Sequence, residues 1–148
     1  MAEARDIYQE VLDVLSRAIL EGNSDTVLRL IPLPHAVRTM SGQIRIATEA
    51  EMISTVEGMQ ASLKGNGATD YIRIVDEAQF TGENEIVGEH TSHILRNGVR
   101  LVPPYRNQLT LRRADDGAWQ VSATSEVVAD TRWPILLPNA RAGDGSDT

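Results

Sequence analysis

The chain has 148 residues, of which 41% are hydrophobic, and its 14 basic and 21 acidic residues give a net charge of −7. This length predicts one domain with a sizeable core. The negative charge argues against a nucleic-acid or anionic-membrane partner, because both need a basic surface. The chain has no cysteine, which excludes disulfides, a thiol nucleophile and a thiolate metal site.

The N-terminal residues carry charge from Glu3 onward and lack the apolar core of a secretory signal. No run of the sequence approaches the roughly 18 apolar residues of a membrane span. We therefore expect a cytoplasmic protein.

Two helices are predicted at the start of the chain. Apolar residues recur at the three-and-four spacing of an amphipathic helix over residues 4–19. Gly22 suits the left-handed residue that follows a helix. A short second helix is predicted over residues 24–31, where Pro32 and Pro34 stop it.

A small hairpin and a third helix come next. Residues 35–39 and 43–47 can pair as two short strands around a glycine turn. Thr48 and Glu51 form a capping box, in which the threonine caps a helix and the glutamate reaches back to the cap. The helix that they open is predicted to end at the glycine-rich residues 65–67.

Four long strands are predicted in the second half of the chain, over residues 71–81, 85–97, 99–113 and 118–128. Short turns join them, among them Asn97-Gly98 and Asp116-Gly117. Asn-Gly or Asp-Gly between two strand-like runs is the strongest hairpin signal that a sequence offers.

Strands of this length would exceed about 35 Å if they were straight, so they must bend. Gly88 and Pro103-Pro104 are natural bend points. The sequence therefore predicts an α+β fold, in which a strongly curved antiparallel sheet wraps around the N-terminal helices. Such a cone encloses an internal cavity.

Strand parity singles out Asp76 as a candidate for chemistry. Alternate residues face opposite sides of a sheet, and strict alternation places Asp76 between Ile74 and Ala78 on an apolar face. Desolvation would raise the pKa of this carboxyl unless a cation or donor pairs with it, and the group could then act as a general acid or base. Alternatively, Asp76 lies near a bulge or pairs with an arginine such as Arg38.

The same strict alternation places Trp119, Val121 and Ala123 of the fourth strand on one face, opposite Gln120, Ser122 and Thr124.

The three histidines show no spacing typical of a metal site, and we expect neither a metal nor a cofactor. His90 shares a strand face with apolar residues, so it is a cavity candidate or a hydrogen-bonded core residue. His93 points to the opposite face. Tyr105 follows two prolines and is predicted either at the pocket mouth or packed on the helices.

The order of elements over about residues 3–128 resembles the nuclear transport factor 2-like superfamily, also called SnoaL-like or cystatin-like cone folds. The closing run Asp-Gly-Ala-Trp-Gln-Val at residues 116–121 is similar to the common end of that family. The resemblance implies a single domain over residues 1–128, followed by an extended C-terminal tail at 129–148. It also implies a small apolar or amphipathic ligand inside the cone, and in some members isomerisation, dehydration, cyclisation or epoxide hydrolysis.

In the ketosteroid-isomerase branch, a tyrosine on the first helix and carboxylates on the sheet face the cavity. Tyr8 is similar to that tyrosine, but residues 33–38 contain no counterpart of the general-base aspartate. The candidate catalytic residues are Asp76 and His90. The candidate ligand-binding residues are Tyr8, His35, Arg38, Asp76, His90 and Tyr105.

Three functions are therefore compatible with the sequence, since a fold alone does not determine function. The first choice is a protein that binds a small molecule in its cavity. The second is an isomerase, dehydratase or cyclase that uses an Asp–His acid–base pair. The third is a structural dimerisation module.

A homodimer through the outer sheet face is also expected. Val75, Val87 and Leu95 are predicted on the strand faces opposite other apolar residues, so both faces of the sheet need a cover. The helices cover one face, and a second copy of the chain is the simplest cover for the other. The apolar residues 133–138, bracketed by prolines, are predicted to be extended and able to reach across the rim of this interface.

Overall fold

A computed structural model of the protein describes residues 3–39 and 42–126. The predictions for the tail at 129–148, including the segment 133–138, lie outside these described residues.

Three helices are present in the described part of the chain: α1 (Ala4–Glu21), α2 (Ser24–Leu30) and α3 (Glu49–Gly65). α1 ends at Gly22, whose φ of 72° is the left-handed conformation expected there. The predicted capping box of α3 is confirmed, since Glu51 N–H donates to Thr48 Oγ1 at 3.1 Å and Thr48 N–H donates to Glu51 Oε1 at 3.0 Å. None of these helices is long and apolar enough to cross a membrane.

The strands are β1 (His35–Thr39), β2 (Gly42–Ile46), β3 (Asp70–Gly82), β4 (Glu85–Arg96), β5 (Val99–Arg100), β6 (Tyr105–Arg113) and β7 (Trp119–Glu126). They form one sheet in the order β2-β1-β7-β6-β4-β3, with β5 paired to β4. The predicted third strand is split into β5 and β6, because Pro103 and Pro104 lack the N–H groups that a ladder requires.

The predicted antiparallel pairing of the long strands is confirmed from β3 to β7. The sheet as a whole is mixed, because β1 pairs with β7 in parallel, with Val37 opposite Thr124. This pairing adds the small hairpin to the end of the sheet. It was not predicted, since only the long strands carried strong hairpin signals.

α1 packs across the concave face, as predicted, and buries Tyr8, Leu12 and Leu15. Its Gln9 side chain holds the edge strand β3: Gln9 Nε2 donates to the Arg73 carbonyl, and Val75 N–H donates to Gln9 Oε1, each at 2.8 Å. The helix thereby satisfies edge groups that the sheet leaves unpaired.

A β-bulge in β3 places Asp76 on the face of the sheet opposite to the predicted one. The register of β3 against β4 shifts between Val75 and Glu77, so Asp76 is an extra residue that reverses the parity of the strand. Val75 is buried inside the cone, whereas Asp76 is exposed on the outer face together with Ile74. The prediction that Asp76 points inward was wrong, and the bulge that was the alternative is present.

A second bulge, in β7, changes the face of the sheet on which Thr124 lies. The register of β6 against β7 shifts so that Val121 pairs with Leu111 but Ala123 pairs with Thr110. Thr124 therefore lies opposite the buried Leu109 and faces the interior with Val121, although strict alternation had placed these two residues on opposite faces.

Gly88 is buried under the first helix. A Cβ atom at this position would lie 2.6 Å from Tyr8 Cε2 and 3.0 Å from Ala78 Cβ. The absent side chain therefore allows Tyr8 to approach β4 closely.

We expect Gly88→Ala to lower the free energy of unfolding by about 1–3 kcal/mol, because the added methyl overpacks this contact. Urea denaturation measures the change. Gly58→Ala is the matched control: an added Cβ there meets nothing within 4 Å, and alanine favours the α3 helix by up to about 1 kcal/mol. A Gly88→Ala protein as stable as the wild type would contradict the close-approach role.

Candidate ligand-binding cavity

A cavity of about 80 Å³, measured as the space open to the centre of a water molecule, lies between the helices and the sheet. One water needs about 10–15 Å³ on this measure, so the cavity has room for several waters or a small organic molecule. Most of its wall is apolar, formed by Leu15, Ile19, Val27, Ile31, Val37, Ile46, Met52, Val56, Met59, Leu109 and Val121. Its polar lining residues are His35, Thr55, Arg73 and Thr124.

Arg73 reaches from β3 towards α1. Its Nε donates to Ser16 Oγ at 2.8 Å, and its guanidinium carbon stands 5.1 Å from the centre of the Tyr71 ring. The Nη2 atom is buried and has no hydrogen-bond partner among the described residues. No ion pair to an aspartate or glutamate of residues 3–39 or 42–126 involves this guanidinium.

His35 lies at the end of the cavity where β1 joins β7. Its Nε2 is 2.9 Å from Thr124 Oγ1, and its Nδ1 is buried without a partner within the described part of the chain. Burial lowers the pKa of His35 to about 4, so the ring is neutral near pH 7. Among the lining residues that the structure describes, the charge near neutral pH therefore belongs to Arg73.

Tyr8 and His90 form a buried pair behind the cavity wall. Tyr8 Oη is 2.8 Å from His90 Nδ1 and accepts a hydrogen bond from Leu109 N–H at 3.2 Å. The Tyr8 hydroxyl can accept this bond and still either donate to His90 Nδ1 or accept from it, according to the tautomer of the ring. The Nε2 atom has no partner among residues 3–39 and 42–126.

Both members of this pair are held neutral. Desolvation, with a smaller effect of the Arg73 charge, lowers the pKa of His90 to about 3. Burial raises the pKa of Tyr8. The pair therefore links α1 to β4 and β6 without carrying charge near pH 7.

The structure separates the six candidate ligand-binding residues. His35 lines the cavity, and Tyr8 and His90 face the inside of the cone behind its wall. Tyr105 is half-buried and packs against the core. Arg38 is exposed on β1, away from the cavity wall.

The candidate catalytic pair of Asp76 and His90 is not assembled, because the two side chains lie on opposite faces of the sheet. Asp76 accepts a hydrogen bond from Thr91 Oγ1 at 2.8 Å, and its Oδ2 lies 3.7 Å from Arg106 Nε. The arginine beside this carboxylate is thus Arg106 rather than Arg38.

The polar residues of the site that the sequence did not predict are Ser16, Thr55, Arg73 and Thr124. Both bulges contributed, since strict alternation had placed Arg73 on the face opposite Asp76, which was predicted to point inward, and Thr124 on the face opposite Val121. The sequence does carry a signal for Ser16, because it is a polar residue on the same helix stripe as Leu12 and Leu15. In the structure only 3% of its surface is exposed.

No protein-family model matches the chain. A cystatin-like domain of unknown function from Nostoc punctiforme superposes with a TM-score of 0.63 over 87% of this chain and 80% of that one, at 12% identity. A nuclear transport factor 2-like protein from Novosphingobium aromaticivorans superposes with a TM-score of 0.64 over 94% of this chain and 87% of that one, at 15% identity. The chain has the nuclear transport factor 2-like fold.

The predicted resemblance is thus confirmed at the level of the fold. A ketosteroid isomerase-like protein from Erwinia carotovora shares it with a TM-score of 0.57, over 87% of this chain and 100% of that one, at 13% identity. Identities this low concern the fold and not the function. In sequence, 84 residues of the chain are 29% identical to Endonuclease 8 of Escherichia coli, covering 55% of this chain. The chain spans about a third of the length of that curated relative, at 32%.

The two buried histidines make stability sensitive to acid. Their pKa falls from 6.5 in the unfolded chain to about 4 for His35 and about 3 for His90. As the pH falls, the histidines of the unfolded chain therefore become protonated first. The stability that the two neutral histidines give the folded state is complete above pH 6.5, and it is lost as the pH falls towards their pKa values in the folded protein. Between pH 7 and pH 5 we expect each to remove about 2 kcal/mol from the free energy of unfolding.

We expect His35→Gln and His90→Gln each to reduce this loss by about 2 kcal/mol, because glutamine does not titrate. Urea denaturation at pH 7 and pH 5 measures it. His93→Gln is the control, since His93 lies on the outer face beside Arg100 and its replacement leaves both buried rings in place. If both variants lost as much free energy of unfolding between pH 7 and pH 5 as the wild type does, the lowered pKa values of the two histidines would be contradicted.

Proposed function

We propose that the protein binds a small amphipathic molecule inside its cone. The observation that carries this proposal is the cavity itself. Its wall is largely apolar, but it includes Arg73 and His35, each of which has a buried polar atom (Nη2 and Nδ1) without a partner among the described residues. Ligand sites commonly combine an apolar lining with a few polar groups that orient the ligand.

An isomerase, dehydratase or cyclase that uses an Asp–His pair is less well supported. The proposed pair is split between the two sheet faces, and no aspartate or glutamate is among the described residues that line the cavity. His90 is neutral and hydrogen-bonded to Tyr8 rather than open to the cavity. General acid–base catalysis needs a titrating group within reach of the ligand.

A purely structural module would fill its cone with its own side chains, and the unfilled cavity favours binding instead. The local likeness to Endonuclease 8, which covers about a third of that protein, does not support an activity on DNA for this chain. A net charge of −7 opposes the attraction to phosphates on which such binding depends. The cytoplasmic location expected from the sequence stays a prediction.

We also propose that two copies associate through the outer sheet face. Ile72 and Ile74 are 41% and 48% exposed on this face. Both signs of charge lie beside them: Arg106 contacts Asp76 and Glu89. A patch that combines an apolar centre with charges of both signs is self-complementary under two-fold symmetry.

The cavity proposal is tested with hexan-1-ol as the probe, titrated into the protein by calorimetry and by NMR. We expect a dissociation constant of roughly millimolar order, given the ligand efficiency of small molecules. Thr55→Phe should weaken binding at least about tenfold, because Thr55 is a half-buried lining residue and phenylalanine would fill that side of the cavity.

Ser54→Phe is the matched control, since it adds the same ring to the exposed neighbouring position of α3. This variant should bind hexan-1-ol as the wild type does. Absence of hexan-1-ol binding to the wild type, or equal binding to both variants, would contradict the cavity proposal.

The dimer is tested by sedimentation at micromolar concentration, where a monomer has a mass of 16.2 kDa. We expect the wild type at twice that mass and Ile74→Lys as a monomer, because a buried lysine without a partner opposes association. Val14→Lys is the control: Val14 is 38% exposed on α1, away from the sheet, and its replacement should leave a dimer. A wild-type monomer would contradict this proposal.

A further inference from the structure

Arg73 places a guanidinium on the wall of a largely apolar cavity. Its Nη2 atom is buried, and the described part of the chain offers it neither a hydrogen-bond acceptor nor a carboxylate. A buried charge without a partner is costly, and proteins usually pair such groups. An anion that binds Nη2 would offset this cost.

The contacts that Arg73 does make position the group without neutralising it. Ser16 Oγ accepts from Nε and fixes the plane of the guanidinium, and the Tyr71 ring stacks near it. Both partners are uncharged. By contrast, Arg106 and Arg112 on the outer face each form ion pairs with glutamates.

The surroundings of Arg73 favour a single negative charge. His35 is neutral near pH 7, so the described cavity wall offers one cation. The net charge of −7 works against a multiply charged ligand such as a phosphate monoester. A carboxylate matches the planar fork of a guanidinium.

The rest of the wall accepts an apolar body. Leu15, Val27, Val56 and Val121 are almost fully buried around the cavity, and the limited volume suits a short chain or a single ring. On this basis, and resting on the proposed function, we infer that the ligand is a small monocarboxylate. Its carboxylate is held by Arg73 and its hydrocarbon part lies in the apolar cavity.

The test compares three probes with the same six-carbon chain: hexanoate, hexan-1-ol and hexylammonium. Calorimetry at pH 7 should show hexanoate binding about tenfold or more tightly than hexan-1-ol, as expected for charge-assisted hydrogen bonds. Hexylammonium should bind more weakly than the alcohol, because its charge repels the guanidinium.

Arg73→Gln should abolish the advantage of hexanoate while leaving hexan-1-ol binding within about threefold of the wild type. Arg73→Lys should retain part of the advantage, since it keeps the charge but loses the fork. Arg17→Gln is the matched control: it makes the same change in net charge at an exposed position of α1 next to Ser16, and should preserve the advantage.

The outcomes separate this inference from the proposed function. If hexan-1-ol binds but hexanoate binds no more tightly, the carboxylate inference is wrong while the cavity proposal stands. If none of the three probes binds, the cavity proposal itself fails. An Arg73→Gln protein that keeps the full hexanoate advantage also overturns the inference, because the charge recognised is then not that of Arg73.

Discussion

The docking of α1 on the sheet is the constraint on which the cavity depends. Tyr8 is fully buried, lies against the bare backbone of Gly88 and hydrogen-bonds to His90 and to the Leu109 N–H. These contacts fix the depth and rotation of the helix. Ser16 lies eight residues along, about two turns and on the same face, so the contact at Tyr8 also determines where Ser16 meets Arg73. One end of the helix is thus a structural anchor and the other braces a polar group of the cavity.

Most of the fold could be predicted because its signals are local. Helix caps and Asn-Gly turns act within a few residues, and the capping box at Thr48 and the turn at Asn97-Gly98 are found where the sequence placed them. The orientation of site residues could not be predicted, because it depends on β-bulges. One extra residue, Asp76, reverses the parity of the strand, and a sequence shows no reliable mark of such an insertion.

This single reversal exchanged the roles of two charged residues. Strict alternation made Asp76 the polar group of the cavity and left Arg73 outside, whereas the folded strand has Arg73 inside and Asp76 beside Arg106 on the outer face. At the other end of the cavity, the pairing of β1 with β7 created a contact that the sequence did not predict. It brings Thr124 to His35, although the two residues are 89 positions apart in sequence. Contacts of this kind follow from tertiary packing and not from a local pattern.

The charge state of the Tyr8–His90 pair is set mainly by burial. Desolvation is the larger cause of the lowered pKa of His90, and the positive charge of Arg73 is the smaller one. An anion that offsets the Arg73 charge would therefore remove only the smaller cause, and His90 would stay neutral near pH 7. The hydrogen bond between Tyr8 and His90, which helps to dock α1, is then kept. In the proposed binding mode Ser16 already orients the guanidinium, so the carboxylate would meet a preorganised group and little of its binding free energy would be spent on ordering the site.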